Sequence, residues 1–196
     1  MKNRTGDVAR KTKETNVRIS LNLDGKGQAD IASGIPFLDH MLTLFAVHGF
    51  FDLSVSAEGD LDVDLHHTVE DVGLVLGDAI SQALGERKGI RRYGQAVIPM
   101  DDSLAAVTVD LSNRPFLVCN IPESIVYGIA LNPSLTREFF RALVHRGGLN
   151  LHINVAYGEN DHHVIESIFK AFGRALDQAV TVDGRTSGVP SSKGTL

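Results

Sequence analysis

The sequence has no tryptophan and a single cysteine, Cys119, among its 196 residues. One cysteine forms no internal disulfide and builds no thiolate metal cluster. No apolar run approaches the roughly 18 residues that a membrane-spanning helix needs, and the N-terminus lacks the apolar stretch of a secretory signal. Acidic residues outnumber basic ones, 24 Asp and Glu against 19 Lys and Arg, and the net charge of -5 argues against broad nucleic-acid binding. We therefore expect a cytoplasmic protein with neither a nucleic-acid nor a membrane partner.

The sequence does contain an ordinary globular composition and eight histidines. Hydrophobic residues make up 43% and charged residues 22% of the chain, which excludes disorder and fibrous repeats. The length suits one domain or two small units in tandem, either of which can bury a core.

Alternating apolar and polar residues predict strands, and apolar residues three and four positions apart predict helices. The strands are predicted over 16–23, 51–57, 60–65, 96–109, 115–118 and 149–155. The helices are predicted over 36–47, 66–84, 135–144 and 162–180, and Gly49 is predicted to cap the first of them. Within the strand over 60–65, the acidic residues Asp60, Asp62 and Asp64 are interpreted as a solvated face without chemistry.

Two segments of the chain repeat each other. HHTVEDVGLVLGDAI from His66 and HHVIESIFKAFGRAL from His162 align without a gap at an offset of 96 residues, with five of fifteen positions identical. This predicts an α+β fold made by internal duplication of two α/β units, each a mostly antiparallel sheet packed on helices. We expect one domain over 1–196, with repeats of about 1–93 and 94–185 and a tail over 186–196.

The repeated His-His-x-x-Glu element has the spacing of a metal site. Residues four apart lie on one helix face, so His66 with Glu70, and His162 with Glu166, can each share an ion. The neighbouring His67 and His163 point about 100° away and would reach a different ion. Imidazole and carboxylate without thiolate suit manganese, iron or zinc. The alternative is that these histidines are half-buried polar groups at helix ends.

Many further motifs, all in the same order, resemble imidazoleglycerol-phosphate dehydratase of histidine biosynthesis over essentially the whole length. They are Lys13-Glu14-Thr15, Pro36 to Leu42, His48-Gly49, Asp64 to Asp71, Gly85 to Ile90, Arg92-Tyr93-Gly94, Pro99-Met100-Asp101, Asp110-Leu111-Ser112, Arg114-Pro115, Leu151-His152, Tyr157-Gly158, Asn160 to His163, Phe169-Lys170-Ala171 and Pro190 to Gly194.

This resemblance implies a fold like ribosomal protein S5 domain 2 and the dehydration of D-erythro-imidazole-glycerol phosphate to imidazole-acetol phosphate. It implies two Mn²⁺ ions per active site, shared between subunits, in a 24-subunit assembly of the chain. The hydrogen to be removed lies on a carbon beside an imidazole and is too weakly acidic for a side-chain base alone. Lewis-acid metals at the substrate ring would meet that need.

The resemblance also assigns roles to individual residues. It suggests Glu14 as a general acid or base, although an exposed strand-edge glutamate is the plain alternative. It groups His67, Glu166 and Lys170 with Glu14 as catalytic residues, although a solvated lysine is the plain alternative for Lys170. The phosphate is expected at Arg92, Arg114, Ser191, Ser192 and Lys193, where surface salt bridges and a frayed tail are the alternatives. The substrate-binding set is completed by His40, His48, His66, Glu70 and His162.

The metal set combines the repeated element with two further residues. His40 is added by resemblance, and aligning the two halves places Glu138 opposite His40, where many relatives have histidine. We expect one ion at Glu138, His66, Glu70 and His163 and the other at His40, His67, His162 and Glu166. The alternative is that Glu138 is an exposed helix residue and that water or His145 fills its place.

Two other functions share these features. A non-catalytic metal-storage assembly explains the histidines but leaves the arginine and Ser-Ser-Lys motifs without a role. A metal-dependent phosphosugar isomerase would need both metal and phosphate.

Overall fold

The computed structural model describes residues 4–122, 132–186, 188–192 and 194. Within them the chain forms strands and helices in the same order twice. The first unit comprises β1 (Thr5–Lys11), β2 (Thr15–Asn22), β3 (Ala29–Ala32), α1 (Pro36–Gly49), β4 (Asp52–Gly59) and α2 (His66–Leu84). The second comprises β5 (Tyr93–Met100), β6 (Ser103–Asp110), β7 (Phe116–Asn120), α3 (Pro133–Gly147), β8 (Asn150–Tyr157) and α4 (Asp161–Val180).

Each unit contains one sheet of four strands with the same topology. The strand orders are β1-β2-β4-β3 and β5-β6-β8-β7. The third strand of each unit runs parallel to its neighbour, and the other pairs are antiparallel. The predicted α+β fold with an internal duplication and mostly antiparallel sheets is therefore confirmed.

The four helices lie between the sheets and pair across the two units. α2 packs on β1 and β2, α4 packs on β5 and β6, and the helix pairs in contact are α1 with α4 and α2 with α3. Buried phenylalanines join the units: Phe45 stacks on Phe172 with ring centroids 5.1 Å apart, and Phe140 lies 5.1 Å from Phe169. Because such rings each bury a large apolar area, the two repeats share one hydrophobic core.

Two equivalent glycines allow the helix pairs to approach closely. A Cβ at Gly77 of α2 would lie 2.5 Å from the carbonyl oxygen of Leu143, and a Cβ at Gly173 of α4 would lie 2.6 Å from that of Phe45. Both are members of the repeated segment found in the sequence. The duplication therefore preserves the crossing points of the helices as well as their order.

A buried arginine connects the end of α2 with the end of α3. Arg87 is 4% exposed and donates from its guanidinium to the carbonyl oxygens of Gly147 and Gly148 at 2.6 and 2.9 Å. Burial lowers the pKa of this guanidinium, partly offset by attraction to Asp110. The negative end of the α3 dipole gives the buried cation a favourable position.

Three predictions about the elements are wrong. The segment over 60–65 is a turn, closed by the N–H of Val63 donating to the carbonyl oxygen of Asp60 at 2.8 Å, and Val63 is exposed, so its alternation reflects no buried face. The run over 96–109 is two strands, β5 and β6, divided by a turn at Asp101 with φ 45°. The first helix runs to Gly49, and its left-handed cap is Phe50, with φ 57°, and not Gly49.

The strands β1 and β3 were absent from the sequence prediction. Both are edge strands of their sheet, and edge strands have few buried side chains to produce an alternating pattern. No helix in the described part of the chain is both long and apolar enough to span a membrane.

Candidate metal and substrate site

The repeated His-His-x-x-Glu element begins both long helices of the fold. In α4, His162 Nε2 lies 3.0 Å from Glu166 Oε2, and in α2, His66 Nε2 lies 3.8 Å from Glu70 Oε2. Each pair spans one helical turn, so the two side chains share a face as their spacing predicts.

Helix α1 adds a third potential ligand to the α4 pair. His40 Nε2 lies 3.7 Å from Glu166 Oε2, and one ligand atom from each of His40, His162 and Glu166 lies within 4.8 Å of the others. The rings of His40 and His162 have centroids 5.7 Å apart. We call this group the α1–α4 cluster. It brings together three residues of one predicted ion site.

Glu166 is the buried centre of the α1–α4 cluster. It is 6% exposed, and its Oε1 lies 2.5 Å from Lys170 Nζ. Burial by itself raises the pKa of Glu166, but Lys170, His162 and His40 outweigh it and lower the pKa. Lys170 also reaches the sulfur of Met100 at 3.3 Å. Lys170 thus faces the cluster, as its position one turn after Glu166 predicts.

His48 lies farther along α1, also beside α4. Burial, followed by the charges of Lys170 and Arg174, lowers its pKa. The neutral imidazole, with one donor and one acceptor nitrogen, is therefore the favoured form at neutral pH.

A second group forms where α2 meets α3. Glu138 makes an ion pair with Arg141, whose Nη2 lies 4.0 Å from Glu70 Oε1. His66 joins this group through Glu70. We call these residues, His66, Glu70, Glu138 and Arg141, the α2–α3 cluster. His66, Glu70 and Glu138 were predicted to bind the same ion, together with His163. Glu138 is half-buried in the structure.

The second histidine of each element is not part of either cluster. The rings of His66 and His67 meet at 87°, and those of His162 and His163 meet at 84°. His67 Nδ1 lies 3.0 and 3.2 Å from the two carboxylate oxygens of Asp60. His67 and His163 therefore do not join the ligand groups predicted for them within one chain.

His163 is held in a similar way by the hairpin between β5 and β6. Its Nδ1 pairs with the carboxylate of Asp102, which also accepts the backbone N–H groups of Glu159 and Asn160 at 2.6 and 2.8 Å. These three contacts lower the pKa of Asp102, with His163 the largest cause. The hydrogen bonds from Asp102 and Asp60 raise the pKa of His163 and His67 respectively.

Glu14 lies in the turn between β1 and β2, close to His67. Its Oε2 is 3.9 Å from His67 Nδ1, and its backbone carbonyl accepts the N–H of Asp60 at 3.1 Å. A cleft of about 210 Å³ joins Glu14 with His67 and Glu70. The exposed carboxylate of Glu14 thus faces the same cleft as two predicted metal ligands, which is a suitable position for proton transfer to a bound molecule.

Of the residues expected to bind phosphate, Arg92 lies against the C-terminal segment that contains Ser191 and Ser192. Arg92 is buried and donates to Asp110 at 2.7 and 3.1 Å and to the carbonyl oxygen of Pro190 at 2.7 Å. It therefore anchors the C-terminal segment to β5. Arg114 is exposed after β6, Ser192 is exposed and Ser191 is half-buried, while Lys193 lies outside the described residues.

Three residues of these groups were missed from the sequence. Asp60 was interpreted as part of a solvated strand because residues 60–65 alternate between polar and apolar. The segment is a turn, and the contact of Asp60 with His67 depends on that turn. Asp102 carried no periodic signal. Arg141 could have been noticed, since it follows Glu138 by three residues on a predicted helix.

Comparison with known proteins places this geometry in context. A family model described as imidazoleglycerol-phosphate dehydratase matches residues 33–176. The imidazoleglycerol-phosphate dehydratase of Syntrophobacter fumaroxidans is 58% identical over 193 residues, covering 98% of this chain and 98% of the relative. The relative of the same name from Geobacter sulfurreducens is 55% identical over 193 residues, covering 98% of this chain and 99% of its own length.

Two solved structures of proteins with that name have the same fold. The Pyrococcus furiosus protein superposes with a TM-score of 0.84 at 34% identity, covering 96% of this chain and 100% of its own. The Staphylococcus aureus protein gives 0.79 at 39% identity, covering 91% and 99%. The residues matched by the family model, 33–176, contain both clusters.

Proposed function

The chain belongs to the imidazoleglycerol-phosphate dehydratase family of hydro-lyases in histidine biosynthesis, and on that premise we propose that it is a metal-dependent enzyme. Its reaction removes water from D-erythro-1-(imidazol-4-yl)glycerol 3-phosphate to give 3-(imidazol-4-yl)-2-oxopropyl phosphate. In this proposal the enzyme works in the cytoplasm, which agrees with its unpaired Cys119.

The donor set of the α1–α4 cluster fits a divalent ion such as Mn²⁺, and the α2–α3 cluster offers the same types of donor. The α1–α4 cluster offers two imidazole nitrogens and a buried carboxylate within 4.8 Å of one another, and the α2–α3 cluster offers one imidazole and two carboxylates. Mixed nitrogen and oxygen donors without thiolate suit manganese. When bound, two such ions per site would supply Lewis-acid stabilisation to the substrate's imidazole ring.

The observation that carries the proposal is that each His-His-x-x-Glu element contains a second histidine that lies outside the cluster of its own chain. Each cluster supplies about three donors, fewer than the six that manganese prefers. His67 and His163 belong to neither cluster, and each is held at Nδ1 by a carboxylate, Asp60 and Asp102 respectively. We infer that they complete the ion sites of neighbouring chains, in an assembly of 24 subunits.

Proton transfer is assigned to groups near this site. Glu14 is exposed in the cleft shared with His67 and Glu70, so its carboxylate can take or return a proton at a substrate carbon or hydroxyl. Lys170 holds Glu166 ionised through a contact of 2.5 Å, and its ammonium group can donate a proton at the α1–α4 cluster.

The phosphate is assigned to the exposed Arg114 and to the segment with Ser191, Ser192 and Lys193. Arginine can bind phosphate oxygens through two parallel hydrogen bonds. Arg92 contributes indirectly, because its bond to the Pro190 carbonyl at 2.7 Å fixes where that segment leaves the domain.

Turnover of the named substrate by metal-depleted and reloaded protein tests the proposal. Protein treated with a chelator should be inactive, and two equivalents of Mn²⁺ per chain should restore conversion to the oxo product. His66→Ala and His163→Ala should not recover under the same reloading. Full turnover without metal would disprove the metal dependence. Tight Mn²⁺ binding without turnover would instead favour metal storage.

A further inference from the structure

His67 and His163 are both held by a carboxylate at the same ring nitrogen, Nδ1. Asp60 contacts Nδ1 of His67 at 3.0 Å, and Asp102 contacts Nδ1 of His163. A carboxylate at Nδ1 fixes the tautomer that carries its proton there, so the lone pair is at Nε2. In metal sites, such partners orient the imidazole and increase its basicity toward the ion.

The internal duplication shows which residues of the two units correspond. Thr15 at the start of β2 hydrogen bonds to Asp71, and Ser103 at the start of β6 lies 3.1 Å from Ser167 through their hydroxyls. Asp71 and Ser167 occupy the same position in the repeated helix segment. Thr15 therefore corresponds to Ser103, and the residues just before them, Glu14 and Asp102, also correspond.

The two units nevertheless hold their histidines with carboxylates from different positions. In the second unit the hairpin residue Asp102 binds His163. In the first unit the corresponding Glu14 remains 3.9 Å from His67 Nδ1, with 58% of its side chain exposed. Asp60, which follows β4, takes the contact instead. The same contact has therefore been built twice, from positions that are not equivalent, and this indicates a requirement of the histidine.

We propose that Asp60 is a positioning residue that presents Nε2 of His67 to a metal ion and leaves Glu14 available for proton transfer. Asp102 does the same for His163. The inference rests on the proposed function, since it takes His67 and His163 to be metal ligands. It assigns different roles to two corresponding carboxylates. Asp102 orients His163, whereas Glu14 does not orient His67, because Asp60 makes that contact.

Asp60 is a better residue than Asp102 for testing the positioning role. Asp102 also accepts two backbone N–H groups, so its removal disturbs a loop. Both described side-chain contacts of Asp60 are with His67, and its other bonds are made by its backbone. Asp62 is an exposed carboxylate of the same turn, so Asp62→Ala is a matched control for charge.

The experiment measures Mn²⁺ affinity of the chelator-treated protein by titration calorimetry. Asp60→Ala should bind the ion that His67 completes about 10- to 100-fold more weakly, and Asp62→Ala should bind as wild type does. Asp60→Asn should recover part of the affinity, because its amide oxygen still accepts the Nδ1 proton. The thermal midpoint of the metal-free protein should stay unchanged in all three variants.

A double-mutant cycle separates this inference from the proposed function. In a His67→Ala background, Asp60→Ala should have no further effect on Mn²⁺ affinity, because Asp60 acts through His67. If His67→Ala weakens binding while Asp60→Ala does not, the positioning role is overturned and the ligand assignment stands. If His67→Ala itself leaves affinity unchanged, both the ligand assignment and the positioning role are overturned.

Discussion

At the scale of single residues, the two clusters differ in one position that changes their charge. His40 and Glu138 each precede the last glycine of their helix by the same number of residues, so Glu138 stands where the first unit has imidazole. The additional carboxylate is balanced by Arg141, which contacts Glu138 and lies 4.0 Å from Glu70. The α2–α3 cluster is thus richer in oxygen donors, while the α1–α4 cluster is richer in nitrogen.

This difference predicts the metal content of Glu138 variants. Glu138→Gln should retain fewer Mn²⁺ ions per chain than wild type, because a neutral amide oxygen is a weaker ligand than a carboxylate. Glu138→His should recover the lost ion by restoring the donor found at His40. Elemental analysis after dialysis measures both, with Glu58→Gln on the exposed face of β4 as a control. Wild-type affinity for both ions in Glu138→Gln would exclude Glu138 as a ligand.

Asp52 predicts a local pH dependence of stability. Its Oδ1 accepts the backbone N–H groups of Lys26 and Gln28 at 2.8 and 3.1 Å, and these bonds lower its pKa. A carboxyl with a lowered folded pKa stabilises the fold above its unfolded pKa and loses that contribution as the pH falls through the folded value.

Asp52→Asn should therefore lower the thermal midpoint at pH 7, and its deficit relative to wild type should narrow as the pH falls below about 4. Scans between pH 7 and pH 3 at a constant protein concentration measure this trend. Asp30→Asn, an exposed carboxyl substitution on β3, should show no such narrowing. A deficit for Asp52→Asn that is constant over the whole range would contradict the assignment.

At the scale of secondary-structure elements, the site depends on helices that pair across the repeat. His40 reaches Glu166 because α1 lies beside α4, and Glu138 reaches the α2 residues because α3 lies beside α2. Gly77 and Gly173 lie at these crossings, where a Cβ would fall 2.5 and 2.6 Å from carbonyl oxygens of the partner helix. Helix spacing therefore controls the distance between ligands.

Gly173→Ala and Gly77→Ala should each destabilise the protein although alanine favours helix. Alanine gains about 1 kcal/mol in helix propensity over glycine, but forcing the helices apart costs roughly 1–3 kcal/mol. We expect lower thermal midpoints and, for Gly173→Ala, weaker Mn²⁺ binding. Ser81→Ala on α2 is the control, with little change expected. A rise in midpoint for either glycine variant would show that the crossings tolerate a methyl group.

At the scale of the whole molecule, metal binding is linked to assembly through the second histidine of each repeated element. If His67 and His163 complete sites on neighbouring chains, ions act as bridges between subunits as well as Lewis acids. Binding to the assembled form alone then shifts the equilibrium toward assembly.

Removal of the metal should therefore reduce the size of the particle. Size-exclusion chromatography with light scattering should show smaller species after chelation and recovery of the original mass after addition of Mn²⁺. A His67→Ala/His163→Ala variant should not recover, whereas His145→Ala, which alters an exposed histidine on α3, should recover fully. Complete loss of metal without any change in mass would refute ligands shared between chains.

The sequence by itself determined the local geometry of the site and the repeat that contains it. The four-residue spacings of His66 with Glu70 and of His162 with Glu166 are set by helix geometry, so one segment of sequence is enough to predict them. The same holds for Lys170, which lies one helical turn after Glu166 and contacts it. The α+β duplication followed from matching segments and required no knowledge of contacts.

Only the tertiary structure decided which elements meet. The contact of His40 with Glu166 joins distant parts of the chain, and it exists because the apolar faces of α1 and α4 bury one another around Phe45 and Phe172. The hydrogen bond between Asp60 and His67 depends on the turn over 60–65, whose sequence pattern had predicted a strand. Local periodicity records how a segment buries its own side chains, whereas the pairing of segments is chosen by the burial and shape of the whole core.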